Sequence, residues 1–202
     1  MKYIELSLKK LREVSVDAAK VIKKDVNIDL IIYVARAGLP IAVYMNEVID
    51  VSLLGIGAQR KGNKLKSVLG PVVAYLPRFV RDLVITFEIK SKVHMKDAER
   101  FVEFHKSIEN LNCNDYQNIL IVDDSVDTGN SMKLVYEKVK SKFPKANLVT
   151  YSLNVWNQSR SVFDTDYCSY EETVIKAPMS KDSKEYKKFC EMYEIETKKG
   201  YV

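Results

Sequence analysis

Strand-like and helix-like apolar patterns alternate along this chain. The alternation predicts an α/β domain around a mainly parallel central sheet flanked by helices. Three observations carry that prediction. A helix-spaced segment near the start leads into a short apolar run rich in β-branched residues, Ile28 to Val34. A fully apolar stretch ending at Val122 runs into a polar loop and a second helix-like segment. A further strand-like run, Ala146 to Leu153, follows that helix.

Taken in order, Leu8, Leu11, Val14, Ala18, Val21 and Ile22 recur at helical spacing, so Ser7 to Lys24 reads as an amphipathic helix. The strand Ile28–Val34 ends at Arg36-Ala37-Gly38-Leu39-Pro40, and Ile41 to Ile49 reads as a helix. A strand from Val51 to Gly57 leads into a loop over about 60–82 that carries Gly62, Gly70, Pro71 and Pro77. Leu83 to Lys90 alternates apolar and polar residues, as a half-buried strand does. Ala98, Phe101, Val102, His105, Ile108 and Leu111 predict an extra helix over about 95–112. Asn118 to Val122 is then a strand, Ser131 to Phe143 a helix and Ala146 to Leu153 a strand.

The 202 residues, 47% of them hydrophobic, suffice for one domain with a real core, and the whole of 1–202 is read as such. A net charge of +5 suits an anionic ligand, but the Lys and Arg are dispersed, so nucleic acid is not indicated as a partner. Cys113, Cys168 and Cys190 are odd in number and lack metal-ligand spacing. With no apolar leader after Met1 and no run of about 20 apolar residues, the chain is expected to be reduced and cytoplasmic.

Ile119-Leu120-Ile121-Val122-Asp123-Asp124-Ser125-Val126-Asp127-Thr128-Gly129-Asn130-Ser131 carries the chemistry. A buried strand ends in two adjacent carboxylates, and a loop of small polar residues then opens a helix. Such a loop lets backbone N–H groups converge on a phosphate, helped by the partial positive charge of the helix start. Paired Asp residues suit the two hydroxyls of a ribose, directly or through magnesium. Together they describe a site for ribose 5-phosphate. A Walker-type ATP loop is excluded, since no Gly-x-x-x-x-Gly-Lys-[Ser/Thr] occurs.

This stretch resembles, at all thirteen positions, the motif by which type I phosphoribosyltransferases bind 5-phosphoribosyl-1-pyrophosphate (PRPP). The layout is most like that of the xanthine/guanine/hypoxanthine enzymes. The resemblance implies a Rossmann-like fold with a mobile loop and a small acceptor-side hood, and a magnesium-dependent transfer that releases pyrophosphate. It implies that Asp123 and Asp124 hold the ribose and the metal, and that Thr128, Gly129, Asn130 and Ser131 cradle the 5-phosphate. Arg36, Ala37 and Gly38 stand 87 residues before the acidic pair and match the tight loop that holds the pyrophosphate; small residues permit that approach. Asp127 matches the carboxylate that acts as general base toward the acceptor; on its own it would read as a helix cap.

The acceptor-side segment, about 154–180, departs from purine salvage enzymes. They place a lysine after the strand at 146–153, where Asn154 to Ser159 has none and Arg160 is the nearest basic residue. Val174 to Pro178 resembles the segment that closes over a purine, yet the aromatic residue expected before it is Thr173. A base held without stacking or a hydrogen-bond partner forfeits binding energy and specificity. The sequence therefore favours a sugar hydroxyl of a glycan or lipid-linked precursor as acceptor. The alternative is a 6-oxopurine base recognised by Trp156, Arg160, Val174 and Ile175. A PRPP-sensing regulator without catalysis is a third reading. The basic, apolar composition of 60–82 fits a lid over PRPP and also contact with a membrane surface. A homodimer is left open.

Overall fold

The computed structural model describes residues 2–60, 100–104, 108 and 111–198. The chain divides into two compact units, Met1–Ala58 with Val102–Val202, and Gln59–Phe101; apart from the last two residues of β3 and the first two of β4, the first holds everything described below. The lid expected after Arg60 and the strand expected over Leu83–Lys90 lie outside the described residues.

Helix α1 (Leu8–Asp25) starts where Ser7 is extended and its Oγ accepts the Lys10 N–H at 3.1 Å, a side-chain cap. Lys23 and Lys24 in its last turn complement the helix dipole. Leu11, Ser15, Ala19 and Ile22 form its buried stripe. Strand β2 (Leu30–Ala35) follows, and α2 (Gly38–Ile49) begins three residues earlier than the apolar spacing suggested. Next come β3 (Ser52–Arg60), β4 (Arg100–Phe104) and β5 (Asn118–Val126). Helix α3 (Asn130–Lys142) and β6 (Asn147–Val155) complete the predicted series. β7 (Tyr167–Glu171), β8 (Thr173–Lys176) and α4 (Tyr186–Glu196) end it.

The main sheet has the order β4-β3-β2-β5-β6-β7, and the pairings β2–β3, β2–β5, β5–β6 and β6–β7 are all parallel. Both faces are buried, which is why β2 and β5 read as unbroken apolar runs rather than alternating ones. Ile31, Tyr33, Leu120 and Val122 face the layer of α1 and α2. Leu30, Ile32, Ile119 and Ile121 face the opposite layer with Val135, Val139 and Phe143 of α3.

Three elements differ from the sequence reading. The helix expected over about 95–112 is replaced in its first part by a strand from Arg100 to Phe104, at the end of the described sheet beside β3, while Ile108 is helical. Phe, Val and Phe are strand formers, and an open sheet edge outweighs a helical spacing that only local sequence supports. β1 (Lys2–Glu5) was not foreseen; it pairs in parallel with β8, Lys2 opposite Thr173, as a separate two-stranded sheet. α4 was not foreseen either. No helix among the described residues is long and apolar enough to cross a membrane.

Candidate active site

Strand order reverses between β2 and β5: β3 lies on one side of β2, and β5 with β6 on the other. Ligands of open α/β sheets bind in the crevice at such a point, beyond the carboxyl ends of the strands. Here the two ends carry Arg36-Ala37-Gly38 and Asp123 to Ser131. Register sets Tyr33 opposite Val122. A Cβ on Gly38 would stand 2.8 Å from the Val122 carbonyl oxygen, so only glycine lets the start of α2 touch β5. The small residue thus has a packing reason beyond any approach of pyrophosphate. The peptide bond between Ala35 and Arg36 is cis.

β5 continues past the apolar run, so Asp123 and Asp124 are strand residues rather than loop residues. The Asp123 side chain is buried at 7% exposure, and Asp123 Oδ1 accepts the Asp124 N–H at 2.8 Å. Burial, and then the charge of Asp124, push the Asp123 carboxyl well above the ordinary 3.8. Burial likewise raises Asp124. Two desolvated carboxylates side by side are an incomplete electrostatic arrangement that a cation or ribose hydroxyls would complete. Magnesium fits: it takes hard oxygen donors, commonly one or two carboxylates, and fills its shell from phosphates and water. Among the described residues no group of three or more His, Cys, Asp or Glu is placed to hold a metal alone. The donor's own oxygens would therefore supply the remaining ligands.

Asp127, Thr128 and Asn130 are exposed on the loop that opens α3. Asp127 does not cap that helix. The N-cap is Gly129, at φ 80°, and no side chain caps the first turn. The N–H groups there have no intrahelical partner and face outward with the dipole, as anion sites at helix starts do. Asp127 instead accepts from Ser125 Oγ at 2.6 Å. A Cβ on Gly129 would lie 2.9 Å from the Ser159 carbonyl oxygen, so the loop that opens α3 packs directly on the turn at Asn157–Ser159.

Beside the acidic pair opens a cavity of about 290 Å³. Ala37, Asp124 and Ser125 line it on the side of the α2 start and β5. Leu153, Asn154 and Trp156 come from β6 and the residue after it, and Thr173 to Ile175 from β8. Ala177, Met179 and Ser180 complete the wall. Of the acceptor residues read from sequence, Trp156, Val174 and Ile175 meet here. Arg160 does not line the cavity; its guanidinium is paired with Asp164 at 2.5 Å and Glu171 at 2.6 Å.

Sequence reading passed over Asn154, which it had registered only as a missing lysine. The signal was polar residues inside a strand that is buried from Leu148 onward. Thr150 is satisfied by Asp166, which accepts both its N–H at 2.8 Å and its hydroxyl at 2.7 Å. Ser152 Oγ donates to the Asn154 carbonyl oxygen at 2.9 Å. Asn154, 3% exposed, sits opposite Ser125 and accepts the Thr173 N–H on Oδ1 at 3.4 Å.

An acidic pair at a sheet switch point, a capless helix start and an adjoining cavity together make an arrangement that can take a ribose phosphate beside a second substrate. The chain belongs to the phosphoribosyl transferase domain family, whose model matches residues 7–171, and it is a PRPP-dependent phosphoribosyltransferase. No curated protein sequence matches it. Among solved structures it is similar to a purine phosphoribosyltransferase of Pyrococcus horikoshii, with 20% identity and TM-score 0.62 over 91% of this chain and 97% of that one. It is also similar to the xanthine-guanine-hypoxanthine phosphoribosyltransferase of Helicobacter pylori, with 17% identity and TM-score 0.61 over 92% and 99%. A hypothetical protein of Neisseria gonorrhoeae with bound ppGpp has 12% identity and TM-score 0.58 over 96% and 97%. At these identities the likeness is one of fold.

Proposed function

We propose that the enzyme transfers the 5-phosphoribosyl group of PRPP to a 6-oxopurine base. One observation carries the choice of acceptor: the cavity beside the acidic pair is lined by an aromatic side chain, Trp156, and by Asn154, whose amide nitrogen is uncommitted. The Thr173 N–H can only donate, so the amide oxygen of Asn154 must face it. Nδ2 then has no hydrogen-bond partner among the described residues. A donor there suits an exocyclic oxygen. Two features had favoured a sugar hydroxyl, the absent lysine after β6 and the absent aromatic residue at 173. Asn154 and Trp156 answer both, and similar folds whose names specify purine substrates support the same reading.

In this reading Asp123 and Asp124 take the ribose hydroxyls; the same two carboxylates would hold magnesium, which would supply positive charge against the pyrophosphate. Residues 36–38 hold that pyrophosphate, and Thr128 to Ser131 hold the 5-phosphate at the start of α3. A ring nitrogen of the purine bonds to the anomeric carbon as the bond from that carbon to the pyrophosphate oxygen breaks. The proton lost from the base passes to the Asp127 carboxylate. Phosphoribosyl transfer develops positive charge at the anomeric carbon, so nearby carboxylates favour the transition state.

The test is an exchange of donor for acceptor at Asn154. Asn154→Asp would face an oxo group with oxygen, costing about 1–3 kcal/mol, or roughly 5- to 150-fold in kcat/KM for hypoxanthine. Adenine, which presents an amino group, should gain relative to hypoxanthine. A hypoxanthine-to-adenine ratio equal in wild type and variant would remove Asn154 from acceptor recognition.

A further inference from the structure

Arg36 projects from the proposed pyrophosphate loop onto α4, which lies beyond residue 171, where the family match ends. Its guanidinium carbon is 4.6 Å from the centroid of the Tyr193 ring and 5.8 Å from that of Phe189. The two rings are 6.1 Å apart on successive turns of one helix face. The Arg36 side chain is exposed, and among the described residues no carboxylate pairs with it and no acceptor takes its N–H groups.

A guanidinium stacked on a ring is held by its face, through the attraction of a cation for the ring quadrupole. Its five N–H donors lie in the plane and point outward at the edge, in the fork geometry that matches phosphate oxygens. Stacking therefore fixes the group without consuming what an anion needs. A flexible arginine loses rotamer freedom when it binds an anion, and one already held loses less.

We propose that Phe189 and Tyr193 are positioning residues: they hold Arg36 by its face so that its edge meets the pyrophosphate of PRPP. α4 is itself secured to the body of the fold. Phe189 is buried, Tyr44 Oη donates to Met192 Sδ at 3.8 Å, and the Glu185 carboxylate preceding the helix accepts the Leu8 N–H. The platform thus ties donor affinity to the C-terminal helix. The proposal rests on the donor-site reading above and goes beyond it, since it gives the Arg36 side chain, and not only the loop backbone, a part in binding.

The test measures binding of Mg–PRPP by calorimetry, and KM and kcat, for the full chain and five variants. Tyr193→Leu keeps apolar volume but removes the ring; Tyr193→Phe keeps the ring. The expectation is a loss of about two- to fivefold in PRPP affinity for Tyr193→Leu, full affinity for Tyr193→Phe, and a loss at least as large for Arg36→Ala. The rise should fall on the KM for PRPP, with the acceptor KM unchanged. The double variant Arg36→Ala/Tyr193→Leu should bind as Arg36→Ala does, because the ring acts only through the arginine. Losses that add in the double variant, or a Tyr193→Leu protein with wild-type affinity, would overturn the proposal. Should Tyr193→Leu not fold, Tyr193→Phe and Arg36→Ala still decide: weaker PRPP binding by Tyr193→Phe, or unchanged binding by Arg36→Ala, overturns it. Asp123→Asn, the fifth variant, separates the two claims. If it loses PRPP while Arg36→Ala does not, the positioning role fails and the donor site stands; if neither loses PRPP, both fail.

Discussion

Asp123 shows how a residue can serve binding at a cost to the fold. Its carboxyl holds its proton more tightly in the folded chain than in the unfolded one, because burial and the Asp124 charge oppose ionisation. A raised carboxyl pKa means the folded state carries more protons above the ordinary 3.8, so stability falls as pH rises through that window. Asp123→Asn removes the penalty. The ligand-free variant should melt above the wild type near neutral pH, by about 2–4 °C for each kcal/mol relieved. The difference should shrink as pH falls toward 4, where both side chains are neutral. The same variant should lose the rise in melting temperature that PRPP with magnesium gives the wild type. Thermal denaturation across pH, with and without PRPP and magnesium, measures both effects. A variant that melts lower than wild type at neutral pH, or that keeps the ligand-induced rise, would contradict the roles assigned to this carboxylate.

At the scale of elements, the β5–loop–α3 unit does most of the work, and Gly129 is its joint. It takes φ 80°, which disfavours any side chain, and a Cβ there would crowd Ser159 and Phe163. Gly129→Ala should destabilise the fold by about 1–3 kcal/mol and weaken PRPP binding, because the loop would have to leave the turn it packs on. Denaturant unfolding together with PRPP titration reads both; an alanine variant with unchanged affinity would show that the 5-phosphate does not depend on this loop. The unit was legible in sequence because its signals are local: an apolar run, adjacent acids, small polar residues and a helical spacing. β1 was not, since it is short, mostly exposed and pairs with β8 across some 170 residues of chain. Phe101 and Val102 fit a helical spacing as well as a strand composition, and the sheet edge beside β3 decides for the strand. Asn154 stayed hidden for a related reason. Its amide orientation is fixed by the Thr173 N–H, and no reading of residues 154–159 alone brings β8 against β6.

Across the whole molecule, one donor scaffold joins residues that lie far apart in sequence, and the family relationship fixes the donor chemistry more firmly than the acceptor. A fold of this kind hosts many acceptors, so the acceptor must be argued from the cavity: its size, Trp156, and the free amide of Asn154. Asp127 belongs at this scale because the proposed function gives it the link between the two substrates: it is exposed on the loop between β5 and α3, two residues beyond Ser125 of the cavity wall. General-base assistance contributes roughly 10²- to 10⁴-fold in rate, and Asp127→Asn should lose that much in transfer while binding PRPP as before. The most direct measurement supplies PRPP and magnesium to the wild-type and Asp127→Asn proteins with hypoxanthine, guanine, xanthine, adenine or model glycosides in turn. It follows pyrophosphate release and identifies each product by mass. A 6-oxopurine nucleotide formed by the wild type, and formed about 10²- to 10⁴-fold more slowly by the variant, is the predicted result. Pyrophosphate release with a glycoside and none with any purine would contradict it and transfer the site to a sugar hydroxyl.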